Sequence, residues 1–355
     1  MLMNHKRQAS EQGMVSILIS IIMMIVISLI ILGITQVTRS NQRELLDQQL
    51  SSQAYYAAES GLNQAVKFFS TNATTKIDTL SSGSCNSFIT AASPNGLGLT
   101  NGVLDSNTST SYTCLMVDST PPSLQKAPLT QDANTVWHVQ DATAGQNFSQ
   151  FEFKWKPNTN TQFTGGSNTC PAAANSPSNF TQWGNWNCAF GILRVDLVDM
   201  HGTVNGPASL EGYGLQKSLY LVPTFQASGV TTPQGWPGGT AGVIYVKCSA
   251  TLCDLKLNTP GNSGDYFSRM IMIYQDSDSV TLTGTDGGGA TTATFANGQA
   301  VIDVTGKAQD ELRRVQARIP LTVSTSPVPY YALQTTDNLC KLLTVGPTAT
   351  ATDGC

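Results

Sequence analysis

Between Met14 and Ile34 the chain carries no charged residue, and this apolar block of about 20 residues is long enough to cross a bilayer as a helix. No proline interrupts the chain between Ile34 and Phe69. From Leu45 onward, Leu46, Leu50, Ala54, Tyr55, Ala57, Ala58, Leu62, Ala65, Val66 and Phe69 recur at three- and four-residue spacing, which predicts one helix continuing to about Phe69 with a single face to bury. At about 1.5 Å per residue, a helix from Met14 to Phe69 spans on the order of 80 Å, more than twice the thickness of a hydrocarbon core. Its outer half therefore needs a globular domain to lie against. Small residues at Ala54, Ala57, Ala58, Ser60 and Gly61 permit close approach, and Glu59 reads as a solvated flank.

Beyond the helix the pattern changes twice. Residues 71–135 are rich in Ser, Thr, Asn, Gly and Pro, with one apolar run, Ser111–Val117, and read as long surface loops. From residue 136 strand signals recur: Val136–Val139, Phe148–Trp155, Phe190–Val198, Ser218–Phe225, Gly242–Cys248, Ser268–Tyr274, Ser279–Thr283, Ala300–Val304 and Arg313–Leu321. Alternation is clearest in Phe151-Glu-Phe-Lys-Trp155 and Leu193-Arg-Val-Asp-Leu197, which predicts half-buried strands with Asp196 and Asp199 facing solvent as partners for Arg194 or Lys154. The whole reads as antiparallel sheet. A sheet with one apolar face laid across an amphipathic helix buries both surfaces, so the expected fold is α+β: a long N-terminal helix packed on an antiparallel sheet with long disulfide-pinned loops.

Cysteine usage bears on location. Eight cysteines fall into neighbours along the chain, Cys85 with Cys114, Cys170 with Cys188, Cys248 with Cys253 and Cys340 with Cys355, although sequence alone allows 105 connectivities. No Cys-x-x-Cys occurs and His5, His138 and His201 lie near no cysteine cluster, so disulfides in an oxidising compartment are favoured over metal ligation. About 285 residues remain after residue 70, enough for one large domain or two small ones. With a net charge of −4 and 12% charged residues, the chain offers no basic field for nucleic acid.

Two motifs carry a family resemblance. Gln12-Gly13-Met14, with Lys6 and Arg7 upstream and the apolar block after it, resembles the leader of a type IV prepilin. Gln53-Ala-Tyr55-Tyr56-Ala57-Ala58-Glu59-Ser60-Gly61-Leu62 resembles the amino-terminal signature of PilX-type minor pilins. The resemblance covers about the first 70 residues. It implies a leader at 1–13 that a prepilin peptidase cuts between Gly13 and Met14, N-methylation of the new amine, a transmembrane stem at 14–34, an amphipathic stem at 35–70, a loop-rich region at 71–135 and a β-rich head at 136–355. The charges flanking the span are nearly balanced, so the resemblance decides the topology: N-terminus in the cytoplasm, head outside. It also likens Cys340 and Cys355 to the carboxy-terminal disulfide loop of pilins, with Cys355 standing at the chain end.

One departure has mechanistic content. Pilins usually carry a glutamate at the fifth mature position, where it pairs with a neighbour's amino terminus in the filament core; here that position is Leu18, as in K-type pseudopilins, which points to a minor or tip subunit. Gly33 and Thr35 stand where pilins often have a helix-breaking proline and are expected to soften the stem.

Candidate chemistry is sparse. No Gly-x-Ser-x-Gly elbow, P-loop or His-Glu-x-x-His occurs, so neither catalytic residues nor a cofactor is expected. Asp276-Ser-Asp278 and Asp286-Gly-Gly-Gly289 present oxygens but lack the spaced carboxylates of an EF-hand, and read as turns rather than a metal site. Trp183, Trp186 and Trp236 lie in polar loops, either as a sugar- or partner-binding surface or as loop anchors. The expected function is a minor structural subunit of a type IV pilus, with the membrane, other pilins and the assembly machinery as partners and a surface or host-cell ligand for the head. The alternatives are a membrane-anchored adhesin that never enters a filament and a pseudopilin of a secretion or DNA-uptake machine.

Overall fold

The computed structural model describes residues 9–71, 85, 103–105, 109–143, 145–158, 170, 186, 188–200, 216–224, 241–259, 263–286 and 291–321. These form one long helix and fifteen strands, an α+β fold divided into two compact units.

The first unit contains residues 1–71, 82–117 and 302–317. Its helix α1, Ala9–Thr71, runs unbroken for 63 residues, about 95 Å at the ordinary helical rise. The sheet has the order β1-β2-β14-β15, with β1 at Val103–Asp105, β2 at Thr110–Asp118, β14 at Gln299–Ala308 and β15 at Glu311–Pro320. Strands β1 and β2, with β3 at Ser123–Lys126, fall inside the stretch whose composition reads as loop. β1 and β3 escape a composition-based reading because they are only three and four residues long, too short to show a strand period. On β14 the inward positions are Ile302, Val304, Gly306 and Ala308, and on β2 they are Tyr112, Leu115 and Val117, all buried. β15 is an edge strand and stays largely exposed along its length.

The second unit, residues 72–81, 118–301 and 318–355, is a sandwich of two sheets around one core. One sheet has the order β13-β4-β10-β6-β7-β8: β4 is Asn134–Asp141, β6 Ile192–Asp199, β7 Gln216–Thr224, β8 Ala241–Lys247, β10 Asp265–Ile273 and β13 Phe295–Ala296. The other joins β12 (Thr291–Thr292), β11 (Ser277–Asp286), β5 (Phe148–Pro157) and β9 (Cys253–Asn258), with β3 also paired to β11. Phe148, Phe151, Phe153 and Trp155 of β5 project into the core with Leu193, Val195 and Leu197 of β6 and Tyr266, Met270 and Met272 of β10.

The strand pairing corrects two expectations. The sheet is not wholly antiparallel: β7 and β8 pair in parallel, from Ser218 beside Ala241 to Thr224 beside Lys247. The sixteen residues of 225–240 between them supply the length a parallel crossover requires, whereas a tight hairpin would have forced antiparallel pairing. Nor does Asp196 face solvent. It is 1% exposed, because the register sets it directly beside Arg269 of β10, whose Nε and Nη2 donate to Asp196 Oδ2 at 2.9 and 2.6 Å. Arg194 Nε donates to the other oxygen at 3.0 Å. Lys154 instead pairs with Glu152 of its own strand at 2.7 Å.

Candidate functional site: the stem helix

The N-terminal part of α1 is built from aliphatic residues with no polar face, and from Val15 to Val37 every large apolar side chain stands exposed around the whole circumference. It is long and apolar enough to cross a membrane. Four of its hydroxyls are bonded within the helix. Ser20 Oγ donates to the Ile17 carbonyl at 2.8 Å, Ser28 to Met24 at 2.7 Å, Thr35 to Ile31 at 2.7 Å and Thr38 to Ile34 at 2.8 Å. Leu18 lies in this exposed stretch. The helix passes through Gly33 without a break, and a methyl added there would meet nothing within 4 Å. Gly13 and Met14 lie on the helical backbone, with side chains outside the described residues, as does the leader before Ala9.

The outer part presents a face. Ala54, Ala57, Ala58, Gly61, Ala65, Phe68 and Phe69 are buried, while Leu46, Tyr55 and Val66, expected on the same face, are exposed. The three- and four-residue spacing admits either set; the smaller side chains win because the sheet comes close. An added Cβ at Gly306 of β14 would lie 2.0 Å from the Ala54 carbonyl oxygen and 2.5 Å from the Ala58 nitrogen. At Gly61 it would meet Val304 Cγ1 at 2.8 Å and the Tyr112 ring at 3.1 Å. Polar contacts fix the register: Tyr112 Oη donates to Gln64 Oε1 at 2.7 Å, and Arg313 Nε of β15 donates to Ser51 Oγ at 2.8 Å. Burial also pushes the Tyr112 hydroxyl above its ordinary pKa. Arg314 grips the buried Asp303 with its Nε at 2.7 Å and also through Nη2.

Within the signature stretch, then, Ala57, Ala58 and Gly61 are buried on the covered face, Glu59 and Ser60 are half-buried, and Tyr55 and Tyr56 point outward with ring centroids 5.8 Å apart. Tyr56, Glu59, Ser60, Asn63, Gln64 and Lys67 line a shallow recess of about 360 Å³ on the open flank. Sequence reasoning does not single out Gly306 or Tyr112. A glycine inside an alternating strand is the available signal for the first.

Of the remaining candidates, Cys85–Cys114, Cys170–Cys188 and Cys248–Cys253 are disulfide-bonded. Cys340 and Cys355 lie outside the described residues, as do Trp183 and Trp236. Trp186 is a loop anchor: its Nε1 donates to the Phe190 carbonyl at 3.0 Å and its ring stacks on Tyr274 at 4.8 Å. Asp276 accepts from the Gln131 amide at 2.6 Å and from Asn158 Nδ2 at 3.2 Å, holding loops together as a turn residue does. Among the described residues no three His, Cys, Asp or Glu side chains converge. The chain matches no protein-family model, no curated protein and no solved structure.

Proposed function

We propose that this chain is a minor structural subunit of a type IV pilus or a related filament, assembled through its N-terminal helix. The observation that carries the reading is the two-part helix: an aliphatic rod exposed on all sides, continuing unbroken into a half whose small-residue face is covered by a sheet. A plain membrane anchor needs only the first part. A rod continued without a break into a sheet-covered half transmits the position of that sheet to the packing of the rods, which is what a helical filament requires.

In this reading the peptidase cuts after Gly13, Met14 becomes the methylated amino terminus and the head lies outside the cytoplasmic membrane, where disulfides form. Apolar contacts with other stems replace lipid as an assembly motor draws the helix out. Leu18 cannot neutralise a neighbour's buried amine, and a subunit lacking that carboxylate suits a rare or terminal position better than the bulk of the filament. The recess beside Tyr56 and Lys67 lies on the flank left for neighbouring subunits.

Intact mass and amino-terminal sequencing of protein from membranes and from sheared surface filaments test this directly. The expected result is a chain beginning at N-methylated Met14, present in the sheared fraction and lost from it in a Gly13→Ala variant. An uncut chain confined to membranes and indifferent to that substitution would overturn the reading in favour of an anchored surface-binding protein.

A further inference from the structure

Two polar stripes run along the part of α1 that follows the rod. Arg39, Arg43 and Asp47 follow one another at four-residue spacing and stand exposed. Each lies eighteen residues, about five helical turns, before a residue of the covered face: Ala57, Gly61 and Ala65 in turn. This first stripe therefore continues the sheet-covered side of the helix toward the amino terminus, past the point where the cover ends. Glu59, Asn63 and Lys67 form the second stripe at the same spacing, on the open flank, where they line the recess with Tyr56. Asn63 and Lys67 are exposed and Glu59 is half-buried. The two stripes are twenty residues apart, about five and a half turns, which sets them on nearly opposite sides of the helix.

Their charges are complementary. The first stripe reads plus, plus, minus and the second minus, neutral, plus. A second copy laid parallel to the first and displaced by twenty residues, about 30 Å, sets Arg39 beside Glu59, Arg43 beside Asn63 and Asp47 beside Lys67. Displacements one or two turns away are poorer. Sixteen residues join Arg43 to Glu59 but set Lys67 on Ser51, whose hydroxyl already accepts from Arg313. Twelve set Asp47 against Glu59, twenty-four set Arg43 against Lys67 and twenty-eight set Arg39 against Lys67, each a clash of like charges. The twenty-residue step also brings together two exposed apolar side chains. Leu45, 64% exposed, lies about five turns before Asn63 on the open flank, and it meets Ile25, 54% exposed, which lies about five turns before Arg43.

We propose that α1 docks on a second copy of this chain in this register, the first stripe of one stem meeting the second stripe of the next. The inference deepens the filament reading and rests on it. Because the two faces differ, the contact is heterologous and leaves one stripe open at each end for a further copy. Two spans in one bilayer sit at equal depth, and a displacement of about 30 Å equals the whole hydrocarbon thickness, so the contact forms only once one stem has left the membrane. Apolar packing holds the stems together, while exposed ion pairs add little strength and act by selecting the register. A rare or terminal position is then a short run of adjacent copies rather than a lone subunit.

The test uses the full chain carrying Arg43→Cys and Asn63→Cys together, its native disulfides intact, with a short bis-maleimide applied to sheared filaments and to membranes. A ladder of crosslinked dimers and higher species is expected in the sheared fraction and none in membranes. Either cysteine alone should give none, since neither stripe meets itself. Arg43→Cys with Leu45→Cys, which reports stems at equal depth, should give none either. In the Arg43→Cys/Asn63→Cys background, Arg39→Glu or Glu59→Arg should each cut the crosslinked fraction about three- to tenfold, and the two together should restore it. Dimers from one cysteine alone, or charge variants whose combination restores nothing, would overturn the register. Amino-terminal sequencing of the wild type separates the register from the reading beneath it. A chain beginning at Met14 and present in the sheared fraction, without a crosslink between positions 43 and 63, overturns the register and leaves the filament reading standing. An uncut chain confined to membranes overturns both. Should the cysteine pair keep the chain out of filaments, recovery of the cysteine-free charge variants in the sheared fraction decides: Arg39→Glu and Glu59→Arg should each lower it and together restore it, and no restoration overturns the register.

Discussion

Glu152 and Asp254 stand on neighbouring strands of one polar sheet face, yet their proton affinities move in opposite directions. Burial raises the Glu152 carboxyl, but hydrogen bonds from Lys154 and Thr283 and the charges of Lys154 and Lys256 outweigh it, leaving the pKa below its ordinary value. Asp254 is held above its ordinary value by burial and then by the adjacent Glu152. A depressed carboxyl contributes stability above its unfolded pKa and loses it as pH falls through the folded value; a raised one contributes stability below its unfolded pKa and loses it as pH rises through the folded value. Glu152→Gln should therefore destabilise at pH 7, by about 0.2–1 kcal/mol once screening at this half-buried site is allowed for, and converge on wild type in acid. Asp254→Asn should stabilise slightly at pH 7, with its advantage vanishing below the ordinary carboxylate range; urea unfolding at about pH 7 and about pH 2 reads both. Alternation anticipates Arg194 as a partner of Asp196, which the structure shows, but neither the burial of Asp196 against Arg269 nor the opposed shifts of Glu152 and Asp254 are legible in the sequence. Alternation puts Glu152, Lys154 and Asp196 on polar positions of their strands, but the choice between water, Arg269 and a second carboxylate is made by strands over a hundred residues distant for Glu152 and 73 for Asp196.

Among the elements, those with strong local patterns are legible and those defined by their neighbours are not. The helix follows from an aliphatic run and the absence of proline, and β5 from its strict alternation. β9, Cys253-Asp-Leu-Lys-Leu-Asn258, alternates as plainly but gives a weaker signal, being only six residues long and close behind the disulfide turn. The parallel partnering of β7 and β8 has no local signature at all. The seam between α1 and β14 rests on glycine in a graded way that thermal unfolding by circular dichroism can check. Gly33→Ala, in open space, should be neutral or stabilising by about 0.5–1 kcal/mol. Gly61→Ala presses on side chains that can shift and should cost less than Gly306→Ala, whose new methyl meets helix backbone; the latter should cost about 1–3 kcal/mol or more. Equal effects at all three would mean that the close approach at Gly306 is not what holds the seam.

For the molecule as a whole, the division into two units can be probed because the spectroscopic reporters are segregated. All five tryptophans lie in residues 118–301. The disulfide Cys85–Cys114, closing a span of 29 residues, belongs to the helix-bearing unit. A Cys85→Ser/Cys114→Ser variant should lose about 2–4 kcal/mol of protection against amide exchange at Leu115 and Val304 while tryptophan fluorescence keeps its midpoint. A fall of both together would mean that the units unfold as one. The hydroxyls of the exposed rod lead to a different conclusion. Since Ser20, Ser28, Thr35 and Thr38 already spend their donors on carbonyls of their own helix, exchanging lipid tails for the flanks of other helices neither breaks nor creates a hydrogen bond at these positions. These four hydroxyls are therefore no polar address. At their positions the rod can pass from one apolar surrounding to another and back, with shape setting where it comes to rest.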